Sequence, residues 1–161
     1  MMKNVEVLEN AERMSLVDLA GLSGVKLSYA IAQNAKALGE EALAIQGKLQ
    51  YPEDYLKLKD KYRELFKEHA LKDEKGEFVI EDGKYVIDPE KEKTYKELIE
   101  SENPENQPIL ERVQKIEEDY NKFLENDSSI SVQTVKLDEL PESINPTQMA
   151  ALSFMVEEFM A

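Results

Sequence analysis

The chain has no cysteine, no tryptophan and one histidine, His69, in 161 residues. The missing cysteine excludes disulfides, thiolate zinc sites and a cysteine nucleophile, and it leaves the redox compartment open. A lone histidine excludes His-based dyads, the HExxH zinc motif and clusters of histidine ligands. His69 itself falls on the apolar stripe of a helix near its end, where packing or an interaction with the helix dipole accounts for it. The six glycines form no GxGxxG and no phosphate-binding loop, and no Gly-x-Ser-x-Gly elbow is present. No apolar run approaches the roughly 20 residues of a membrane span. The opening MMKNVEVLENAERM has no apolar h-region, so no secretory leader is expected and a cytoplasmic location is the default. At this length a single domain over residues 1–161 is expected, with a core that needs no metal or disulfide staple.

Basic residues are also scarce. The chain carries 20 against 34 acidic ones, a net charge of −14. The excess is uneven: residues 1–75 hold 12 basic and 13 acidic groups, and residues 76–161 hold 8 and 21. Such a surface repels phosphate, so direct nucleic-acid binding is not expected. It could attract a protein partner, a basic one among the options, or simply keep the chain soluble.

The stretch Glu77 to Asp88 gives the clearest geometry. Asp82-Gly83 between two apolar runs predicts a type I′ hairpin in which Glu81 opposes Lys84, Ile80 opposes Tyr85, Val79 opposes Val86 and Phe78 opposes Ile87. Phe78, Ile80, Tyr85 and Ile87 then share a face that a helix, a third strand or a partner must cover. Helical periodicity surrounds it. Helices are expected over about 10–20, 26–47, 53–71, 89–101, 108–125 and 146–160, with a loop at the Pro104–Pro108 break. Residues 4–8 could form a short strand or enter the first helix. The β-branched alternation of 130–137 predicts an additional strand. The fold class is therefore α+β, mainly α: an antiparallel helical bundle with a hairpin. The final helix is apolar over much of its circumference, which fits burial first and docking on another chain, including a homo-oligomer, second.

Nothing selects catalytic, cofactor-binding or metal-binding residues. Glu117-Glu118-Asp119 and Asp73-Glu74…Glu77 lack the EF-hand spacing, and consecutive acids on a helix diverge. Tyr51, Tyr55, Tyr62, Tyr85, Tyr95 and Tyr120, with Tyr29 upstream, suit either core edges or an interface. The candidate contact residues are Tyr95, Glu117, Glu118, Tyr120, Phe154, Met155 and Phe159.

The segments Val25–Asn34 (VKLSYAIAQN) and Asp73–Asp88, with Val135–Leu140, Ile144–Pro146, Ala151-Leu152 and Phe154–Glu158 of the tail, give the chain an order of elements that resembles a family of small uncharacterised bacteriophage proteins. That family combines a helix, a charged helix, a polar hairpin, another charged helix, a short strand and an apolar C-terminal helix. The resemblance implies phage or prophage origin and the cytoplasm of a bacterial host, and it supplies no activity. The expectation is a non-enzymatic protein that presents acidic helices and the hairpin to a host or phage protein. An acidic mimic of nucleic acid that inhibits a DNA-binding or defence enzyme, and a homo-oligomeric virion or assembly component, are the alternatives.

Overall fold

The structure is a computed structural model that describes residues 1–81 and 84–159. It is mainly helical: α1 (Asn4–Leu16), α2 (Val25–Gln46), α3 (Glu53–His69), α4 (Glu92–Leu124) and α5 (Pro146–Leu152), with a hairpin of β1 (Ile80–Glu81) and β2 (Lys84–Tyr85). The expected single domain divides into two compact units. Residues 1–49 and 119–161 make the first, and residues 50–118 make the second.

The first unit holds the larger core. Val7 and Met14 of α1, and Leu27, Leu38 and Ile45 of α2, pack with Val135, Leu152, Met155 and Val156. Helix α1 begins at Asn4, so residues 4–8 enter the first helix and do not form a strand, because the first turn finds partners elsewhere in the fold. The Asn4 backbone N–H donates to the Asn126 carbonyl at 2.9 Å, its side-chain amide donates to the Phe123 carbonyl at 2.9 Å, and Glu6 accepts from the Lys3 N–H at 2.6 Å. These bonds satisfy donors that a bare helix start leaves open.

Residues 130–136 join no sheet and Leu137 already opens a 3₁₀ turn, Leu137–Glu139, which corrects the strand expected over 130–137. Their polar backbone is satisfied in another way. The Asn34 side chain, 1% exposed, donates to the Gln133 carbonyl at 2.9 Å and accepts from the Gln133 N–H at 2.8 Å. One side-chain amide thus supplies the two bonds a neighbouring strand would make. Two residues on, Val135 donates to Met155 at 2.9 Å and accepts from Glu157 at 3.0 Å, forming a single parallel bridge to Val156. That bridge also explains why the final helix stops at Leu152 rather than 160. Val156 turns extended to meet Val135, and short 3₁₀ turns, Ser153–Met155 and Glu157–Phe159, flank it. At its start α5 has a reciprocal cap: Asn145 accepts from the Gln148 N–H at 2.9 Å, and Gln148 accepts from the Asn145 N–H at 3.1 Å.

In the second unit α3 and α4 run antiparallel. Contacts pair Tyr51 with Glu117, Asp54 with Arg112, Tyr62 with Asn106 and the Glu68 carbonyl with Lys91, so one sequence rises as the other falls. Helix α4 is continuous through Pro104 and Pro108, where the sequence predicts a loop. Each proline lacks the N–H that would bond the carbonyl four residues back. The carbonyls left over belong to Glu100 and to Pro104, because Pro108 cannot serve Pro104. Glu100, Pro104 and Pro108 are exposed, so water can take the place of the missing donors. On the opposite side, Asn106 donates to the Tyr62 hydroxyl at 2.9 Å and Lys61 pairs with Glu102 at 2.7 Å. Those tertiary contacts hold the turn that the prolines weaken.

The hairpin keeps the expected register at its distal end, with Ile80 opposite Tyr85 and Glu81 opposite Lys84. The expected turn at Asp82-Gly83 lies outside the described residues. At its base the expected Phe78–Ile87 pair is replaced. Phe78 pairs with Lys72, and Ile87 pairs with Ala70. The segment after α3 therefore enters between the arms. Leu71 donates to Val86 at 2.8 Å, Val86 to Val79 at 3.1 Å, and Val79 to Leu71 at 3.0 Å, closing a ring of three backbone hydrogen bonds. All three segments pair antiparallel with one another. The ring depends on the preceding turn, where Asp73 accepts from the Lys75 and Glu77 N–H groups and Gly76 takes φ +82°.

Candidate docking groove

The three-way junction aims the hairpin's aromatic residues at α3 and α4. Phe66 of α3 sits between Tyr85 of β2, at 6.0 Å between ring centroids, and Tyr95 of α4, at 6.1 Å. Phe78 meets Tyr85 edge-on at 5.7 Å. His69 closes the cluster: its ring lies 5.7 Å from Tyr95, and Nδ1 donates to the Leu65 carbonyl at 2.8 Å. Because a carbonyl only accepts, that bond places the ring proton on Nδ1.

Packing here is incomplete. Phe78, Ile80 and Tyr85 remain 38%, 57% and 55% exposed, and the aromatic side chains floor a groove of about 560 Å³, within the range of ligand sites. The apolar hairpin face therefore meets Phe66 through Tyr85 and leaves much of its area in water. Along the α3 side, Lys59, Arg63 and Lys67 line the groove at successive i, i+4 positions, and no acidic residue lines it among the described residues. Arg63 and Lys67 contact Asp60 and Glu64 at 2.9 and 2.8 Å as exposed pairs on their own helix. The Lys59 ammonium lies 5.8 Å from the Tyr55 ring centroid and 6.0 Å from that of Tyr51.

Polar pairs away from the groove fix its two helical walls. The Tyr51 hydroxyl donates to Glu117 at 2.9 Å, and this bond is the main reason the phenol titrates above its ordinary range. Lys61 is likewise raised, chiefly by its hydrogen bond to Glu102. The second Glu102 oxygen is buried without a hydrogen-bond partner, which makes this pair a locally costly one.

The contact residues read from the sequence fall in different places. Tyr95 lies in the groove. Glu117 holds Tyr51, and Glu118 accepts from Gln114 at 2.9 Å on its own helix. Tyr120 and Phe154 are half-buried against the first unit's core, while Met155 is 0% exposed inside it. Phe159 is 53% exposed. Met155 is therefore a core residue, unable to meet a partner without unfolding. Lys59, Arg63, Lys67 and Phe66 line the groove and are not among the contact residues the sequence marks. Their signal was present in the i, i+4, i+8 row of cations beside Tyr62 and Phe66, but on a helix rich in lysine such a row looks like a solvated face.

Among the described residues, no cluster of three His, Cys, Asp or Glu side chains is placed to hold a metal, and no helix is long and apolar enough to cross a membrane. The sequence matches no protein-family model, and comparisons with curated proteins and with solved structures likewise give no match.

Proposed function

We propose that this chain is a non-enzymatic protein of phage origin that acts in the bacterial cytoplasm by docking a protein partner, with the groove of the second unit as its contact. One observation carries the reading: the hairpin holds Phe78 and Tyr85 over an open aromatic groove, although burying them would stabilise the fold. Aromatic side chains are enriched among the anchors of protein interfaces. The acidic helices contribute solubility and long-range steering.

The alternatives gain less support. The acids of α4 do not form a free row, since Glu92, Glu97 and Asp119 each pair with a lysine on the same helix. That interleaving weighs against mimicry of a phosphate backbone. Leu152, Met155 and Val156 are buried, in line with the first expectation for the final helix, and this weighs against self-association through it.

The test compares capture from bacterial lysate by the intact chain and by a Phe78→Ser/Tyr85→Ser variant, with quantitative mass spectrometry. The reading expects a discrete captured protein that the variant loses while its circular dichroism is retained. An identical captured set for both chains would overturn it. So would turnover of a nucleotide, nucleic acid or glycan that an acidic-residue substitution abolishes.

A further inference from the structure

We infer that the groove of the second unit takes an extended acidic peptide segment carrying an aromatic or large aliphatic anchor. The inference rests on the docking role proposed above and adds the chemistry of the partner. It starts from a local reversal of charge. Residues 50–118 hold 20 acidic and 13 basic side chains, yet the charged residues lining the groove are Lys59, Arg63 and Lys67. A cationic wall beside an aromatic floor, inside an acidic protein, selects an occupant that is both apolar and negatively charged.

The spacing of the cations selects its shape. Lys59, Arg63 and Lys67 follow one another at about 6 Å along the helix axis, spanning about 12 Å in all. Alternate residues of an extended chain recur at about 6.6 Å, so acids at positions i, i+2 and i+4 span about 13 Å on one face. Three carboxylates so arranged face three cations, whereas a single carboxylate headgroup reaches one or two. The cations are available. Arg63 and Lys67 are held by exposed pairs within one helix turn, which contribute little and exchange readily for a better-placed acid. The floor then takes the anchor side chain, as a volume of about 560 Å³ allows.

Single-stranded nucleic acid also combines aromatic contacts with negative charge, but the groove suits it less. Its rings meet at 61°, 84° and 79°, each turned edge to face, so they offer no row of parallel faces for stacked bases. A phosphate chain would also continue past the three cations into acidic surroundings, while a peptide's acids end where the cations end.

The test is selection of a yeast-displayed random peptide library on the intact chain. Selected peptides are then synthesised, labelled with fluorescein and measured by anisotropy. The expected winners carry two or three Asp or Glu at alternate positions around Phe, Leu or Trp. Their affinity should fall about tenfold or more for a Lys59→Gln/Arg63→Gln/Lys67→Gln variant, and also for the amide counterparts of each peptide. These substitutions lie on exposed positions, and unchanged thermal unfolding confirms that the variant is folded. Neutral or basic winners that still depend on Phe78 and Tyr85 would overturn the acidic-segment assignment and leave the docking groove standing. No winner sensitive to Phe78→Ser/Tyr85→Ser would overturn both. Tighter binding of a labelled oligothymidylate, lost in the triple Gln variant, would replace the peptide with a nucleic acid. Self-association in sedimentation that is lost in the same variant would assign the groove to a second copy.

Discussion

Asn34 shows how much one side chain can decide. On the helical stripe of α2 it occupies a position where leucine or alanine would be ordinary, and its amide instead holds both polar groups of Gln133. Removing it leaves the part-buried backbone N–H and carbonyl of Gln133 without this partner, at about 1–2 kcal/mol each. Asn34→Ala should therefore destabilise the protein by about 2–4 kcal/mol in urea unfolding, and Asn34→Leu should not recover the loss despite its greater apolar area. A loss under about 1 kcal/mol would mean that other groups bind residue 133. The partner of Asn34 lies 99 positions away, so no local pattern in the sequence reveals what its amide holds.

Among the elements, α4 is the one whose local signals and observed state disagree most. Two prolines four residues apart predict a break, and the helix continues because its carbonyls there face water while Asn106 and Glu102 anchor the other side. Propensity is a weak prior that tertiary contacts can outweigh. Replacing Pro108 by alanine should restore the N–H that the Pro104 carbonyl lacks, stabilising the chain by about 1–3 kcal/mol and raising its melting temperature. A lowered melting temperature would show that the ring's packing and its restriction of the unfolded chain outweigh the restored bond. The hairpin is the opposite case. Its distal register was legible from the chain, since alternation and a short connection set it together. Its base was not, because the segment Ala70–Asp73 carries no strand signature and its pairing arises only when α3 ends beside the two arms.

At the scale of the whole molecule, the two units differ in what holds them. The first clusters twelve buried residues, whereas Leu58, Ala70 and Val113 are the buried apolar residues described in the second. Local opening is easiest where few apolar contacts must be broken. In hydrogen-exchange mass spectrometry, amides of α3 and the hairpin should exchange faster than those of α2, and equal protection would refute the difference in core strength. A lightly buried second unit also suits a docking role, because aromatic area left uncovered by the fold remains available to a partner. By itself the sequence determined the mainly helical class, the amphipathic face of each long helix and the distal hairpin register, all of which follow from short-range periodicity. Only the tertiary structure decided that α4 runs unbroken, that Asn34 and a single bridge stand in for a sheet partner at residues 133 and 135, and that three cations of α3 face an aromatic groove. Each of those outcomes depends on groups far apart in the chain, whose free energy exists only once the elements have met.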